Sequence, residues 1–99
     1  DIATLAELQR RLLDHAWTLL KPGGTLVYAT CSLEPEEGER QARAFLARTG
    51  SATLDAIRPD ELGGMTEMMT KEGMLRVLPC HLFEQGGADG FFAARFLKT

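Results

Sequence analysis

Apolar residues recur at Leu5, Leu8, Leu12, Ala16 and Leu19, so "TLAELQRRLLDHAWTLLK" reads as an amphipathic helix with these side chains on its buried face. Thr4 and Glu7 have the spacing of a capping box at its start. Pro22, Gly23 and Gly24 stop it. The period then changes. "TLVYAT", Thr25 to Thr30, is apolar and β-rich without strict alternation, the pattern of a strand covered on both faces, as in parallel sheets. A second helix opens near Pro35, with Glu36 and Glu37 at its positive end and Ala42, Phe45 and Leu46 on its apolar side. Arg40 and Arg43 stand four residues after Glu36 and Glu39, the spacing of helical ion pairs. Gly50 reads as the C-cap.

Beyond it the elements shorten. "ATLDAI" (Ala52 to Ile57) and "MLRVLP" (Met74 to Pro79) read as short strands, separated by a polar, glycine-punctuated loop. Met65, Met68 and Met69 in that loop read as tethers to the core. "EQGGADG" is a turn, and "FFAARFLK" is the last strand, with Phe92, Ala94 and Phe96 on one face and Arg95 on the other. Helix, strand, helix and further strands make α/β grammar in one domain with a single modest core.

Composition narrows the function classes. The 99 residues are 44% hydrophobic and 25% charged, which belongs to globular chains and not disordered ones. No apolar run approaches membrane-spanning length, so no membrane partner is expected. A net charge of -3 argues against a nucleic-acid clamp built from this chain alone. Cys31 and Cys80 make neither a disulfide framework nor a zinc pattern with the two histidines, so no metal site is expected and a reducing cytoplasm is the expected setting. The chain opens at Asp1, which suits a piece of something longer.

The position that draws attention is Cys31, in Thr30-Cys31-Ser32 at the end of the first strand. In open α/β sheets ligands bind beyond the carboxyl ends of the strands. A cysteine is also among the residues most often simply packed. The helix that follows could favour a thiolate, but Glu34, Glu36 and Glu37 crowd its first turn and oppose one. On the residues alone, catalysis and packing both stay open.

"LKPGGTLVYATCSLEPEEGE" together with "DGFFAARFLK" resembles the C-terminal part of the RsmB/Sun family of RNA (cytosine-5) methyltransferases, and "LQRRLLDHA" fits the same family. The resemblance runs nearly end to end and is weakest from Arg58 to Gly73. It implies the C-terminal portion of a Rossmann-like, S-adenosylmethionine-dependent methyltransferase fold with a mixed sheet. It also implies that residues 1–99 are a partial catalytic domain without the cofactor-binding half, inactive when isolated. The implied substrate is a cytosine of ribosomal RNA, and the implied role of Cys31 is the nucleophile that adds to its C6. The family's second cysteine lies in an Asp-Ala-Pro-Cys motif on the preceding strand. That motif is absent, and Pro79-Cys80 falls in the wrong order, so Cys80 reads as packing or loop. No glycine-rich cofactor loop is present either; Gly63-Gly64 and Gly86-Gly87 read as turns, and Asp89-Gly90 as the turn into the last strand.

Two other readings remain: a non-catalytic α/β interaction module, and a methyltransferase of the same fold with another substrate and a merely packed Cys31. An apolar face and an open strand edge would also lead the isolated chain to self-associate.

Overall fold

The structure is a computed structural model, and it describes residues 1–31, 34–77 and 90–99. Helix α1 spans Ile2–Leu19 and leads into strand β1, Thr25–Thr30; helix α2, Glu39–Arg48, follows. Strands β2 (Ala52–Leu54), β3 (Leu75–Val77) and β4 (Phe91–Lys98) complete the sheet, with two short 3-10 turns between β2 and β3. β4 is the central strand. β1 lies antiparallel along one side of it, from Thr25 opposite Leu97 to Thr30 opposite Phe92. β2 and β3 share the other side end to end, β2 against residues 96–98 and β3 against residues 91–93. β1, β2 and β3 therefore run in one direction and β4 in the other.

The core lies between the helices and one face of β4. Phe92, Ala94 and Phe96 are fully buried there, as the alternation in "FFAARFLK" predicts. Phe45 of α2 packs on Phe96 with ring centroids 4.9 Å apart and meets Trp17 of α1 edge-on at 5.1 Å. The Trp17 indole N–H donates to the Ser51 hydroxyl at 2.9 Å, so this buried ring leaves no polar atom stranded. Lys98 closes the end of α1, its ammonium donating to the Trp17 and Leu20 carbonyls at 2.7 Å each. Gln41 donates to the Ala6 carbonyl and fixes α2 against α1.

Several expectations need correcting. Asp1, not Thr4, caps α1: its carboxylate accepts from the Thr4 amide at 2.9 Å. The buried face of α1 carries Leu13 and Trp17, whereas Leu5, Leu8, Leu12 and Leu19 are 50 to 74% exposed. The helix has two apolar sides, and the more strictly periodic one faces outward. β1 is likewise not covered on both faces. Leu26, Tyr28 and Thr30 turn inward and Thr25, Val27 and Ala29 outward, and its partner is antiparallel. α2 begins at Glu39, because Glu34 to Gly38 form a turn in which the Glu37 amide bonds the Glu34 carbonyl and the Gly38 amide that of Pro35. Its C-cap is Thr49, one residue before Gly50. Glu36 and Arg40 pair at 3.1 Å as expected, but Arg43 pairs with Glu72 and Glu39 with Arg76, so tertiary partners replace the local one. Of the predicted run Ala52 to Ile57 only its first half, Ala52–Leu54, is a strand; of Met74 to Pro79 the strand is Leu75–Val77, and residues 78 and 79 lie outside the described residues. Met68 is buried and tethers its loop, while Met65 is exposed.

Candidate functional site

β1 delivers the chain to one end of the sheet, where β4 begins and where β3 pairs with it. Cys31 is the first residue beyond β1 and is exposed. Ser32, Cys80, Gly86, Gly87 and Asp89 lie outside the described residues. Of the sequence-predicted site residues, the described structure therefore places Cys31 alone.

Further along the chain, the turn of residues 34–38 is seated on three strands. Tyr28 of β1 donates its hydroxyl proton to the Glu37 carbonyl. Burial, then the nearby Glu37 carboxylate, push the phenol up to about 12, so it stays protonated and remains a donor. The Tyr28 ring meets Phe92 of β4 edge-on, with centroids 6.2 Å apart. Arg76 of β3 lies over the Phe92 ring at 5.1 Å and pairs with Glu39 at the first turn of α2. The Arg76 guanidinium holds the Glu39 carboxyl below its usual range. Gly38 sits directly on this platform. A Cβ there would stand 3.0 Å from the Phe92 ring and press into the Arg76 guanidinium, so a larger residue would have to push the arginine aside.

The acidic crowding expected around the turn is partly compensated, since Glu36 faces Arg40 and Glu39 faces Arg76. Sequence reasoning missed Tyr28, Gly38 and Arg76. The one signal was a glycine inside Glu-Glu-Gly-Glu, where helix formation alone would not place it.

A groove of about 300 Å³ runs between α1 and β1, lined mainly by apolar side chains such as Leu12, Leu13, Leu26 and Val27, with Gln9 and Tyr28 as its polar-bearing members. It has no charged group for the sulfonium or amino-acid part of S-adenosylmethionine, so these residues do not fit that cofactor. Among the described residues no group of His, Cys, Asp or Glu could hold a metal ion, and no helix is long and apolar enough to cross a membrane.

Comparison with known proteins agrees with this architecture. A methyltransferase homologue from Pyrococcus horikoshii superposes with a TM-score of 0.76 at 33% identity, over all of this chain and 32% of that one. A further crystal structure gives 0.78 at 33% identity, over 97% of this chain and 20% of its own. Two proteins named ribosomal RNA small subunit methyltransferase B, from Shewanella oneidensis and Salmonella arizonae, are each 46% identical over 99 residues. The chain spans about a fifth of their length, 21% and 20%. The family described as 16S rRNA methyltransferase RsmB/F matches residues 1–97, and the chain belongs to that family.

Proposed function

We propose that this chain is the nucleophile-bearing part of an RNA (cytosine-5) methyltransferase acting on ribosomal RNA in the cytoplasm. The observation that carries the reading is an exposed cysteine directly beyond the carboxyl end of β1, in a chain of the RsmB/F family. Cytosine C5 is a weak carbon nucleophile. When the Cys31 thiolate bonds to C6, the C5–C6 double bond opens and C5 becomes enamine-like. S-adenosylmethionine supplies an electrophilic methyl group when bound, and the residues that hold it lie outside this chain. After C5 carries the methyl group, loss of the C5 proton to a base and expulsion of the thiolate restore the ring. The target base must be unpaired or flipped to reach the sulfur.

The test is Cys31→Ala in the full-length protein. Loss of methylation together with loss of a covalent RNA adduct is the expected result. Retained methylation refutes the assignment. The isolated 99-residue chain is expected to be inactive, and turnover by it alone would refute the placement of the cofactor residues elsewhere.

A further inference from the structure

Tyr28 stands three residues before Cys31 on β1, yet its hydroxyl reaches past the cysteine to the Glu37 carbonyl, a residue only 7% exposed. The β1 ladder with β4 ends at Thr30, and Tyr28 ties the chain to β1 again at Glu37. Beneath that second anchor, β1, β4 and β3 contribute Tyr28, Phe92 and Arg76 side by side, with Gly38 in close approach to the last two. The Arg76 bond to Glu39 then locks the first turn of α2 to the same strands. Anchoring a chain at two nearby points lowers the entropy that remains to be lost when a residue between them is positioned. That is the requirement for a nucleophile that must meet one carbon of a base.

We infer that Tyr28 is a positioning residue for Cys31, its hydroxyl clamping the Glu37 turn onto the sheet so that the cysteine-bearing segment is held for attack. The inference rests on the nucleophile reading above and concerns a residue that need touch neither RNA nor cofactor. Tyr28→Phe keeps the ring on Phe92 and removes only the donor, leaving a buried carbonyl without it.

In the full-length protein, Tyr28→Phe is expected to lower kcat and the rate of RNA-adduct formation together by about tenfold, with KM for RNA within about twofold. The alkylation rate of Cys31 by iodoacetamide, read on its own peptide by mass spectrometry, is expected to change in the same variant. So is hydrogen exchange at the Gly38 and Arg40 amides, which bond the Pro35 carbonyl. Gly38→Ala disturbs the turn from the other side and is expected to reproduce the kcat effect, which keeps the idea testable should Tyr28→Phe fold poorly. Unchanged kcat and unchanged alkylation in a folded Tyr28→Phe protein overturn the inference, as does a loss confined to KM. If Cys31→Ala stays active, the nucleophile reading fails by itself. The alkylation and exchange measurements then still decide whether Tyr28 holds the turn.

Discussion

On one side of β4, β2 and β3 complete the sheet, and the segment between them is tied down repeatedly. Arg95 grips Glu61 through two donors at 2.7 and 3.0 Å and also donates to the Ala56 carbonyl; Arg43 holds Glu72 at 2.6 Å. On the other side stands β1 alone. Its far edge has no partner strand among the described residues, Val27 is 58% exposed, and Leu12 of the exposed α1 stripe lines a groove with it. The first side has less periodic sequence but more long-range ion pairs. The second has cleaner patterning and less cover. Hydrophobic periodicity records that a surface is apolar, and it carries no information on whether the same chain supplies what packs there.

Substitutions on the two sides should therefore separate widely. Phe45→Ala removes a fully buried ring that contacts both Trp17 and Phe96, and should cost about 3–5 kcal/mol in denaturant unfolding. Leu12→Ala on the open stripe should cost under about 0.5 kcal/mol, although both positions read as core in the sequence. A comparable loss at Leu12 would show that the stripe is covered in solution. Self-association is the cover expected for the isolated chain, since an open edge and an apolar stripe lie together. Light scattering that finds a monomer at high concentration would contradict it.

Lys98 joins the two sides, being the last residue of β4 and the cap of α1. Lys98→Met keeps the stem but removes two donors from the helix's final carbonyls, so a loss of about 1–2 kcal/mol is expected. A loss below about 0.3 kcal/mol in the same unfolding measurement would mean that water replaces the ammonium without cost.

Much of the fold was legible because local chemistry and tertiary demand agree there. β4 alternates as written, Phe45 and Ala42 face the core, and Pro22-Gly23-Gly24 turns the chain, Gly23 having φ 88°. The ion-pair errors fall where a distant partner outweighs a near one, and the cap error where a nearer residue serves as well. Arg43 had Glu39 one helical turn away and chose Glu72; Glu39 chose Arg76; Asp1 outbid Thr4 for the helix start. The site shows the same division. Cys31 is visible as a residue type at a strand end, whereas Tyr28 and Gly38 gain meaning only once β3 and β4 are laid beside β1. No spacing rule links Tyr28 with Glu37, because nine positions correspond to no regular period of helix or strand.

The smallest expected effect sharpens the contrast through pH. Glu61 is fixed by Arg95, and its carboxylate also accepts from the Arg58 amide at 3.0 Å. The Arg95 bond first, then the Arg58 amide, lower its pKa to about 2, against 4.5 for the free group. A carboxyl depressed in the folded state releases its proton more readily there than in the unfolded chain. Its contribution is therefore complete above the unfolded value and declines as pH falls from about 4.5 toward about 2. Glu61 is solvent-exposed, so screening keeps the effect modest and salt-dependent. Glu61→Gln should flatten part of the acid limb of the stability curve by removing a modest amount of neutral-pH stability, and leave stability near pH about 2 nearly unchanged. Glu7 reaches a similar pKa of about 2, but through Arg10 on its own helix. If protection of the β2–β3 segment from hydrogen exchange falls with pH in wild type but not in Glu61→Gln, the clamp is tertiary. If Glu7→Gln has the same effect on that segment, the loss reflects general charge, and the contrast between the two sides of β4 does not extend to electrostatics.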